Sequence, residues 1–257
     1  MTSQTFQLTV LGSATPYARV DNPCSGYLVS SGDTRIWVDA GSGTLAQLQW
    51  HTRLEDLDAI WISHLHADHS ADLLTAYYAF LFADVRLTAP IPLYGPPGIA
   101  DRLAHYLTNT STRSPVESAF DIHELYDGRQ VQVGELTLTS REVAHGIPAF
   151  ALRAEAGDRS LVYSGDTAPC VGLTELAEGC DVLLCEAESA GAPTGGEPQV
   201  HHTPEDTGET ARAARAARLI VTHVGPTLTT QQAVARASSR YDGPVDYATS
   251  GAVFTIG

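Results

Sequence analysis

The sequence predicts an α/β layered sandwich, in which β-sheets carry helices on their outer faces. Short apolar runs with the two-residue alternation of β-strands recur through the first two thirds of the chain. A continuous apolar run at 59–62 is typical of a strand buried on both faces. In the last third, strand patterns alternate with helix patterns, which favours helices packed against the outside of a sheet.

The strands are predicted where apolar residues alternate or run on between turn residues. Phe6, Leu8 and Val10 alternate in the first strand, and Gly32-Asp33 is a turn signal between the next two. The predicted strands cover 5–11, 26–30, 35–39, 58–63, 130–133, 135–144, 150–154, 160–163, 181–186 and 219–222.

The helices are predicted from their start signals and apolar spacing. Thr203 is followed by Pro204 and Asp206, the pattern of an N-cap with proline in the first turn. No linker, low-complexity block or short repeat interrupts the chain, so one domain is predicted over 1–257. The predicted helices cover 45–51, 71–82, 203–217 and 230–240, and one more begins at the Pro96-Pro97-Gly98 segment and runs to 107.

Composition excludes several classes of protein. With 43% hydrophobic and 18% charged residues among 257, the chain can bury a core and is not a disordered one. No apolar run approaches the roughly 20 residues that span a bilayer, and the N-terminus lacks the layout of a signal peptide. We therefore expect a cytoplasmic protein with no membrane partner and with reduced thiols at its four cysteines.

The net charge of −15, with no lysine in the sequence, disfavours extensive nucleic-acid binding. Arg212, Arg215 and Arg218 recur at helical intervals, which is more typical of a solvated helix face than of a nucleic-acid site. A small anionic substrate remains compatible with this charge, because bound metal ions invert the local field.

The strongest chemical signal is the segment 64–69, which directly follows the buried strand at 58–63. It contains His64, His66, Asp68 and His69 within six residues. Neutral imidazole and carboxylate groups are the ligands that suit zinc and neighbouring divalent metals. The sequence therefore predicts a metal site at this strand end.

This segment resembles the H-x-H-x-D-H motif of the metallo-β-lactamase superfamily and matches it in full. The first motif of that family precedes this segment, around Asp39, and the later motifs follow in order around His145, Asp166 and His223. The resemblance covers essentially the whole chain and implies a four-layer αββα sandwich, the metallo-β-lactamase fold.

The resemblance also implies two divalent metal ions, first of all Zn²⁺ with Mn²⁺ as an alternative, and a metal-bridging hydroxide as the nucleophile. Asp68 then has a catalytic as well as a ligand role. The Asp39 carboxylate either orients a ligand imidazole or caps the glycine turn at 41–43. The implied ligands are His64, His66 and His145 for one ion and Asp68, His69 and His223 for the other, with Asp166 shared.

Two later segments resemble the phosphodiesterase branch of the family, which includes ribonuclease Z. They are Cys185-Glu186-Ala187 and His201-His202-Thr203. The match implies that His202 is the general acid for the leaving oxygen and that Glu186 orients it. The adjacent His201 is the alternative proton donor.

The chain departs from ribonuclease Z between His145 and Asp166, where two short strands and a turn leave no room for the arm that grips transfer RNA. The segments 11–13, 25–27 and 241–245 instead resemble small actinobacterial cyclic-AMP phosphodiesterases. We expect a small phosphodiester as substrate, as in the hydrolysis of cyclic AMP to AMP. Homodimers are common among the resembled enzymes, which leaves a homodimer open here.

Three other functions are alternatives. A lactonase, thioesterase or β-lactamase-like enzyme uses the same metal site on a carbonyl, a ribonuclease Z-like enzyme cleaves RNA, and a third class binds metal without catalysis.

Several residues are candidates for contact with the substrate. The aromatic side chains of Tyr77, Tyr78 and Phe82 either pack in the core or stack on a base. Arg113 and Arg141 are candidates to hold a phosphate.

Overall fold

Two seven-stranded sheets form the centre of the computed structural model, which describes residues 5–108, 111–192 and 196–257. The strands are β1 (Phe6–Gly12), β2 (Gly26–Ser31), β3 (Thr34–Val38), β4 (Ala59–Trp61), β5 (Ile91–Gly95), β6 (Phe120–Glu124), β7 (Gln130–Val133), β8 (Leu136–Glu142), β9 (Phe150–Ala156), β10 (Arg159–Tyr163), β11 (Val182–Ala187), β12 (Leu219–Val224), β13 (Val245–Tyr247) and β14 (Val253–Thr255).

The helices flank these sheets. They are α1 (Thr44–Leu48), α2 (Ala67–Ser70), α3 (Asp72–Phe82), α4 (Ile99–Tyr106), α5 (Val171–Leu176), α6 (Pro204–Ala213) and α7 (Thr230–Ser238), with 3₁₀ turns at Leu54–Asp56 and Val116–Ser118. Among the residues described, no helix has the length and apolar character that crossing a membrane requires.

Both sheets follow the same plan. The first has the order β14-β1-β2-β3-β4-β5-β6 and the second β13-β12-β11-β10-β9-β8-β7. Pairing is antiparallel from β14 to β3 and from β7 to β10, and parallel from β3 to β6 and from β10 to β13. The carboxyl ends of the parallel strands therefore carry loops that meet at one edge of the sandwich.

Three buried clusters define four layers, which confirms the predicted αββα sandwich. One lies between the two sheets, one between the first sheet and α1, α3 and α4, and one between the second sheet and α5, α6 and α7. Alternation along the strands assigns side chains to these layers. Ala59 and Trp61 of β4 face the other sheet, whereas Ile60 faces the helices.

The arginines at helical spacing do not share a helix face. Helix α6 ends at Ala213, and Arg215 has a left-handed backbone with φ of 53°. Arg215 pairs with Glu178 and Arg218 with Asp246. The prediction of one helix over 203–217 is therefore too long at its C-terminal end, and no basic stripe forms on it.

Candidate metal centre and active site

The site lies where strands β4, β10, β11 and β12 end. The segment 64–69 leaves β4 and enters the short helix α2, which begins after His66. Asp39, at the end of β3, holds the start of the segment 64–69. Its Oδ1 accepts a hydrogen bond from the backbone N–H of Ser63 at 2.7 Å. The next motifs bring Asp166 after β10 and His223 within β12 to the same place.

Three histidines form the first half of the site. The Nδ1 atom of His66 lies 3.1 Å from Nε2 of His64 and 3.2 Å from Nε2 of His145. A tetrahedral zinc ion with Zn–N bonds of 2.0–2.1 Å holds its nitrogen ligands about 3.3 Å apart. With Asp166, whose Oδ2 is 3.6 Å from His64 Nε2, these residues have the spacing of a metal site.

Asp68, His69 and His223 form the second half, and Asp166 lies between the halves. Asp166 Oδ1 is 3.3 Å from His69 Nε2, and Asp166 Oδ2 is 3.2 Å from His223 Nε2. Asp68 Oδ2 lies 3.9 Å from the Nε2 atoms of both histidines. The structure thus gathers all seven residues that the sequence predicted as ligands into two groups that could each hold an ion.

Three buried polar atoms at the centre of the second group support this fit. His69 Nε2, His223 Nε2 and Asp166 Oδ1 find no hydrogen-bond partner among the residues described. Buried polar atoms are normally paired, because leaving one without a partner costs free energy. A cation between these atoms would satisfy all of them, and the imidazole and carboxylate donors suit a divalent metal.

Three of the predicted ligand imidazoles have their outer ring nitrogen held by the protein. His69 Nδ1 donates to Asp39 Oδ2 at 2.7 Å, and His223 Nδ1 lies 2.8 Å from the Ser25 hydroxyl. His145 Nδ1 donates to the Val200 carbonyl oxygen at 3.0 Å. These bonds fix the ring orientations and direct Nε2 of each ring to the centre.

Of the two arrangements predicted for Asp39, the structure shows the one in which its carboxylate contacts the ring of a predicted ligand, His69. Its Oδ2 accepts hydrogen bonds from the hydroxyls of Ser63 at 2.7 Å and Tyr163 at 2.8 Å as well as from His69. Burial lowers the pKa of His69, but Asp166 and Asp39 outweigh it and raise that pKa to about 10. Burial and the neighbouring imidazoles hold the pKa of His64 well below its ordinary value.

His201 lies at the rim of the site. Its Nδ1 donates to Glu186 Oε1 at 2.9 Å, and the same nitrogen is 3.9 Å from Asp166 Oδ2. Glu186 is fully buried, and its carboxylate also accepts the backbone N–H groups of Thr167 at 2.7 Å and Glu188 at 3.0 Å. Burial lowers the pKa of His201, but Glu186 and Glu188 outweigh it and raise that pKa to about 11.

His202 does not reach the site, contrary to the sequence prediction. It is fully buried, with Nδ1 donating to the Thr167 carbonyl oxygen at 2.6 Å and Nε2 at 3.0 Å from the Thr210 hydroxyl. Both ring nitrogens are therefore engaged between the Asp166 loop and α6, and burial lowers the pKa of the ring. Of the two adjacent histidines, the structure brings His201 to the cluster.

Glu188 is a site residue that the sequence analysis missed. Its Oε2 lies 2.9 Å from His201 Nε2 and 3.6 Å from His223 Nε2, and its Oε1 accepts from the Thr15 hydroxyl at 3.3 Å. Burial raises the pKa of Glu188, but its contact with His201 and the nearby charge of His223 outweigh burial and hold that pKa well below its usual range. A signal was available, because residues two apart at a strand end face the same side, and Glu186 was already a candidate.

The residues considered for substrate contact are buried in the core, exposed, or paired with carboxylates. On α3, Tyr77 is buried in the core while Tyr78 and Phe82 are exposed. Arg113 pairs with two carboxylates, those of Asp101 and Glu117. Arg141 likewise pairs with two, those of Asp127 and Glu175.

Comparison with known protein sequences gives a consistent family. Residues 34–224 match a sequence family described as "Beta-lactamase superfamily domain". An uncharacterized protein of Mycobacterium leprae is 34% identical, over 98% of this chain and 89% of its own length. Ribonuclease Z of Mycobacterium bovis is 28% identical over 87% of each chain, and the probable metallo-hydrolase YhfI of Bacillus subtilis is 25% identical over 97% of this chain and 99% of its own.

Solved structures give the same fold. The crystal structure of the metallo-β-lactamase fold protein YhfI from Bacillus subtilis has a TM-score of 0.85 and 25% sequence identity, and the match covers 98% of this chain and 99% of that one. The short form of human tRNase Z has a TM-score of 0.77 and 23% identity, over 98% of this chain and 99% of its own. The architecture derived above is therefore the metallo-β-lactamase fold.

Proposed function

The chain belongs to the beta-lactamase superfamily, and from that premise we propose that this metallo-hydrolase is a phosphodiesterase with two divalent metal ions. Its substrate is a cyclic nucleotide or another small phosphodiester, as in the conversion of cyclic AMP to AMP. Two kinds of observation support this, the proton donor at the rim of the site and the absence of a surface for a large polyanion among the described residues.

The observation that carries the proposal is the position of His201 between Glu186 and Asp166. Glu186 holds the Nδ1 atom of His201 at 2.9 Å, so the ring presents its Nε2 edge to the site. Hydrolysis of an alkyl phosphodiester expels an alkoxide, which leaves more readily when a positioned acid protonates it. Acyl transfer on a metal pair has no comparable need for such a donor, so His201 favours phosphodiesters over lactones, thioesters and lactams.

The other residues of the site would hold the metal ions and keep the ligand side chains in position. When bound, two divalent ions supply a hydroxide nucleophile at neutral pH and neutralise the charge that builds on the phosphoryl oxygens. Asp39 keeps the His69 ring fixed from behind, and Ser25 does the same for His223. Asp166 lies between the two groups, with Oδ2 3.6 Å from His64 Nε2 in the first and Oδ1 3.3 Å from His69 Nε2 in the second, which suits a ligand shared by the two ions.

A small substrate fits the charge and the loops better than transfer RNA does. The net charge is −15, and the connection from His145 to Asp166 contains β9 and β10 with a two-residue turn between them. Ribonuclease Z of Mycobacterium bovis, a relative at 28% identity, is by its name an enzyme for RNA phosphodiesters. That relationship supports phosphodiester chemistry, and the acidic surface supports a smaller substrate.

The test combines two assays on one purified sample. Metal content is measured by elemental analysis, and hydrolysis of cyclic AMP and bis(p-nitrophenyl) phosphate is measured with and without a chelator. We expect about two metals per chain and turnover of both diesters that the chelator abolishes. Two metals with turnover only on esters, lactones or lactams would contradict the proposal.

A further inference from the structure

The Glu188 carboxylate lies between the proposed proton donor and the second group of predicted metal ligands. Its Oε2 is 2.9 Å from His201 Nε2 and 3.6 Å from His223 Nε2. The side chain is 23% exposed, so it lines the open side of the site rather than its interior. This carboxylate is not among the seven predicted ligands, and the function proposed above assigns it no role.

The backbone at Glu188 is held in place. Its N–H donates to Glu186 Oε2 at 3.0 Å, and a Cβ at Gly225 would lie 2.0 Å from its carbonyl oxygen. The next residue, Ser189, donates to the His202 carbonyl oxygen at 3.0 Å. Oε1 accepts from Thr15, whose hydroxyl also lies 3.4 Å from Asp68 Oδ2. The negative charge of the Glu188 carboxylate therefore has a defined position beside the site.

The position of Glu188 affects how a bound phosphate can reach His201. His201 Nδ1 is bonded to Glu186, so Nε2 is the nitrogen left to protonate a leaving oxygen, and Glu188 occupies it. A substrate oxygen that reaches Nε2 must displace the carboxylate, which then remains next to the phosphoryl group. Repulsion between like charges grows in proportion to the charge on the ligand.

We propose that Glu188 is a specificity-determining residue that selects monoanionic phosphodiesters over dianionic phosphomonoesters and inorganic phosphate. The inference rests on the proposed phosphodiesterase function. Hydrolysis of a diester adds water and yields a monoester, whose charge near neutral pH is about −1.5 to −2 where the diester had −1. Glu188 therefore weakens binding of the product more than that of the substrate and limits product inhibition.

The test compares the metal-loaded wild-type protein with Glu188→Gln, Glu188→Asp and Asp158→Asn. Glutamine removes the charge and keeps the shape, and aspartate keeps the charge. Asp158 has a side chain that is 93% exposed in the β9–β10 turn, so its variant makes the same change in net charge away from the site. Affinity for inorganic phosphate is measured by calorimetry, and inhibition by AMP is measured during hydrolysis of bis(p-nitrophenyl) phosphate.

We expect Glu188→Gln to bind phosphate and AMP at least about 10-fold more tightly, while KM for the diester falls by less than about 3-fold. Asp158→Asn should stay within about 3-fold of the wild type in both measurements, and Glu188→Asp, which keeps the charge but retracts it, should lie between the wild type and Glu188→Gln. Unchanged phosphate affinity in Glu188→Gln, or an equal gain in Asp158→Asn, would overturn the role of Glu188. A wild-type protein that turns over no phosphodiester contradicts the proposed function instead, and the calorimetric comparison still decides whether the Glu188 charge excludes dianions.

Discussion

The Nδ1 atom of His69 lies 2.7 Å from Oδ2 of Asp39, and both side chains are fully buried. The same carboxylate oxygen accepts hydrogen bonds from the hydroxyls of Ser63 and Tyr163. Asp39 adopts a left-handed backbone with φ of 54°, a conformation that costs a non-glycine residue free energy. The fold accepts this cost at a position where a carboxylate fixes the ring of a predicted metal ligand.

Replacement of Asp39 by asparagine should weaken metal binding. The amide keeps the size of the side chain but removes the charge that supports His69, and changes behind a ligand typically cost 10–100-fold in metal affinity. Competition with a chromophoric chelator measures this. Asp33→Asn, at an exposed turn position between β2 and β3, serves as the control and should bind metal like the wild type. Equal affinity in Asp39→Asn would mean that the contact is structural only.

Removal of metal should lower the thermal stability of the protein. His69 Nε2, His223 Nε2 and Asp166 Oδ1 are buried without a hydrogen-bond partner among the described residues, so an ion held between them would bind the folded state alone. At a free metal concentration about 100 times Kd, binding stabilises the fold by about 2.7 kcal/mol. Thermal unfolding with chelator and with added Zn²⁺ or Mn²⁺ measures the difference. A melting temperature that does not depend on metal would count against a site here.

Substitutions of the adjacent His201 and His202 should have different effects on catalysis. His201→Ala should lower kcat on cyclic AMP by about 100- to 10,000-fold, because the alkoxide loses its proton donor. Bis(p-nitrophenyl) phosphate should be affected much less, because p-nitrophenolate leaves without protonation. His202→Ala should keep most of kcat and instead lose about 1–3 kcal/mol of stability, since it leaves the Thr167 carbonyl oxygen and Thr210 hydroxyl without their partner. Equal losses on both substrates in His201→Ala would argue against proton donation.

The contrast between these two residues shows where sequence reasoning ends. The metal motif was predictable because four potential ligands lie within six residues directly after a buried strand. His201 and His202 are neighbours of the same residue type, and only the packing of α6 against the loop after β10 decides which one faces the site. Thr210, the partner of His202, lies eight residues further along the chain.

Strands β5 and β6 are among the strands that the sequence did not predict, and the reason there is a different one. Pro92 sits inside β5, and proline usually argues against a strand because it donates no ladder hydrogen bond. Strand β6 has only two apolar residues, Phe120 and Ile122, and is an edge strand. Parallel pairing with β4 and β5 stabilises both segments, and that pairing involves residues far apart in sequence.

The start of α6 offers a stability test beside the site. Thr203 Oγ1 accepts the Asp206 N–H at 3.2 Å, and Asp206 Oδ2 accepts the Thr203 N–H at 3.0 Å, which is a complete capping box. Thr203→Ala should lower the free energy of unfolding by about 1 kcal/mol. Thr230 is the first residue of α7, and its hydroxyl donates to the Gln231 side chain. Thr230→Ala should change the free energy of unfolding by less than about 0.5 kcal/mol. Denaturant unfolding compares the two, and equal losses would contradict the capping role.

Gly225 should be intolerant of any side chain, because it lies against the backbone that holds Glu188. A Cβ at this position would be 2.0 Å from the Glu188 carbonyl oxygen, so the two segments must separate. Gly225→Ala should lose about 1–3 kcal/mol in denaturant unfolding. Gly191→Ala is the matched control, because a Cβ there meets nothing within 4 Å.

The same substitution also tests how position and charge combine at Glu188. Displacement of its backbone carries the carboxylate away from His201 Nε2, now 2.9 Å from Oε2. Gly225→Ala should therefore bind inorganic phosphate more tightly than the wild type, in the same direction as Glu188→Gln although the charge is still present. If Gly225→Ala loses stability but keeps wild-type phosphate affinity, the close approach at Gly225 serves packing alone, and the Thr15 and Glu186 contacts suffice to position the carboxylate.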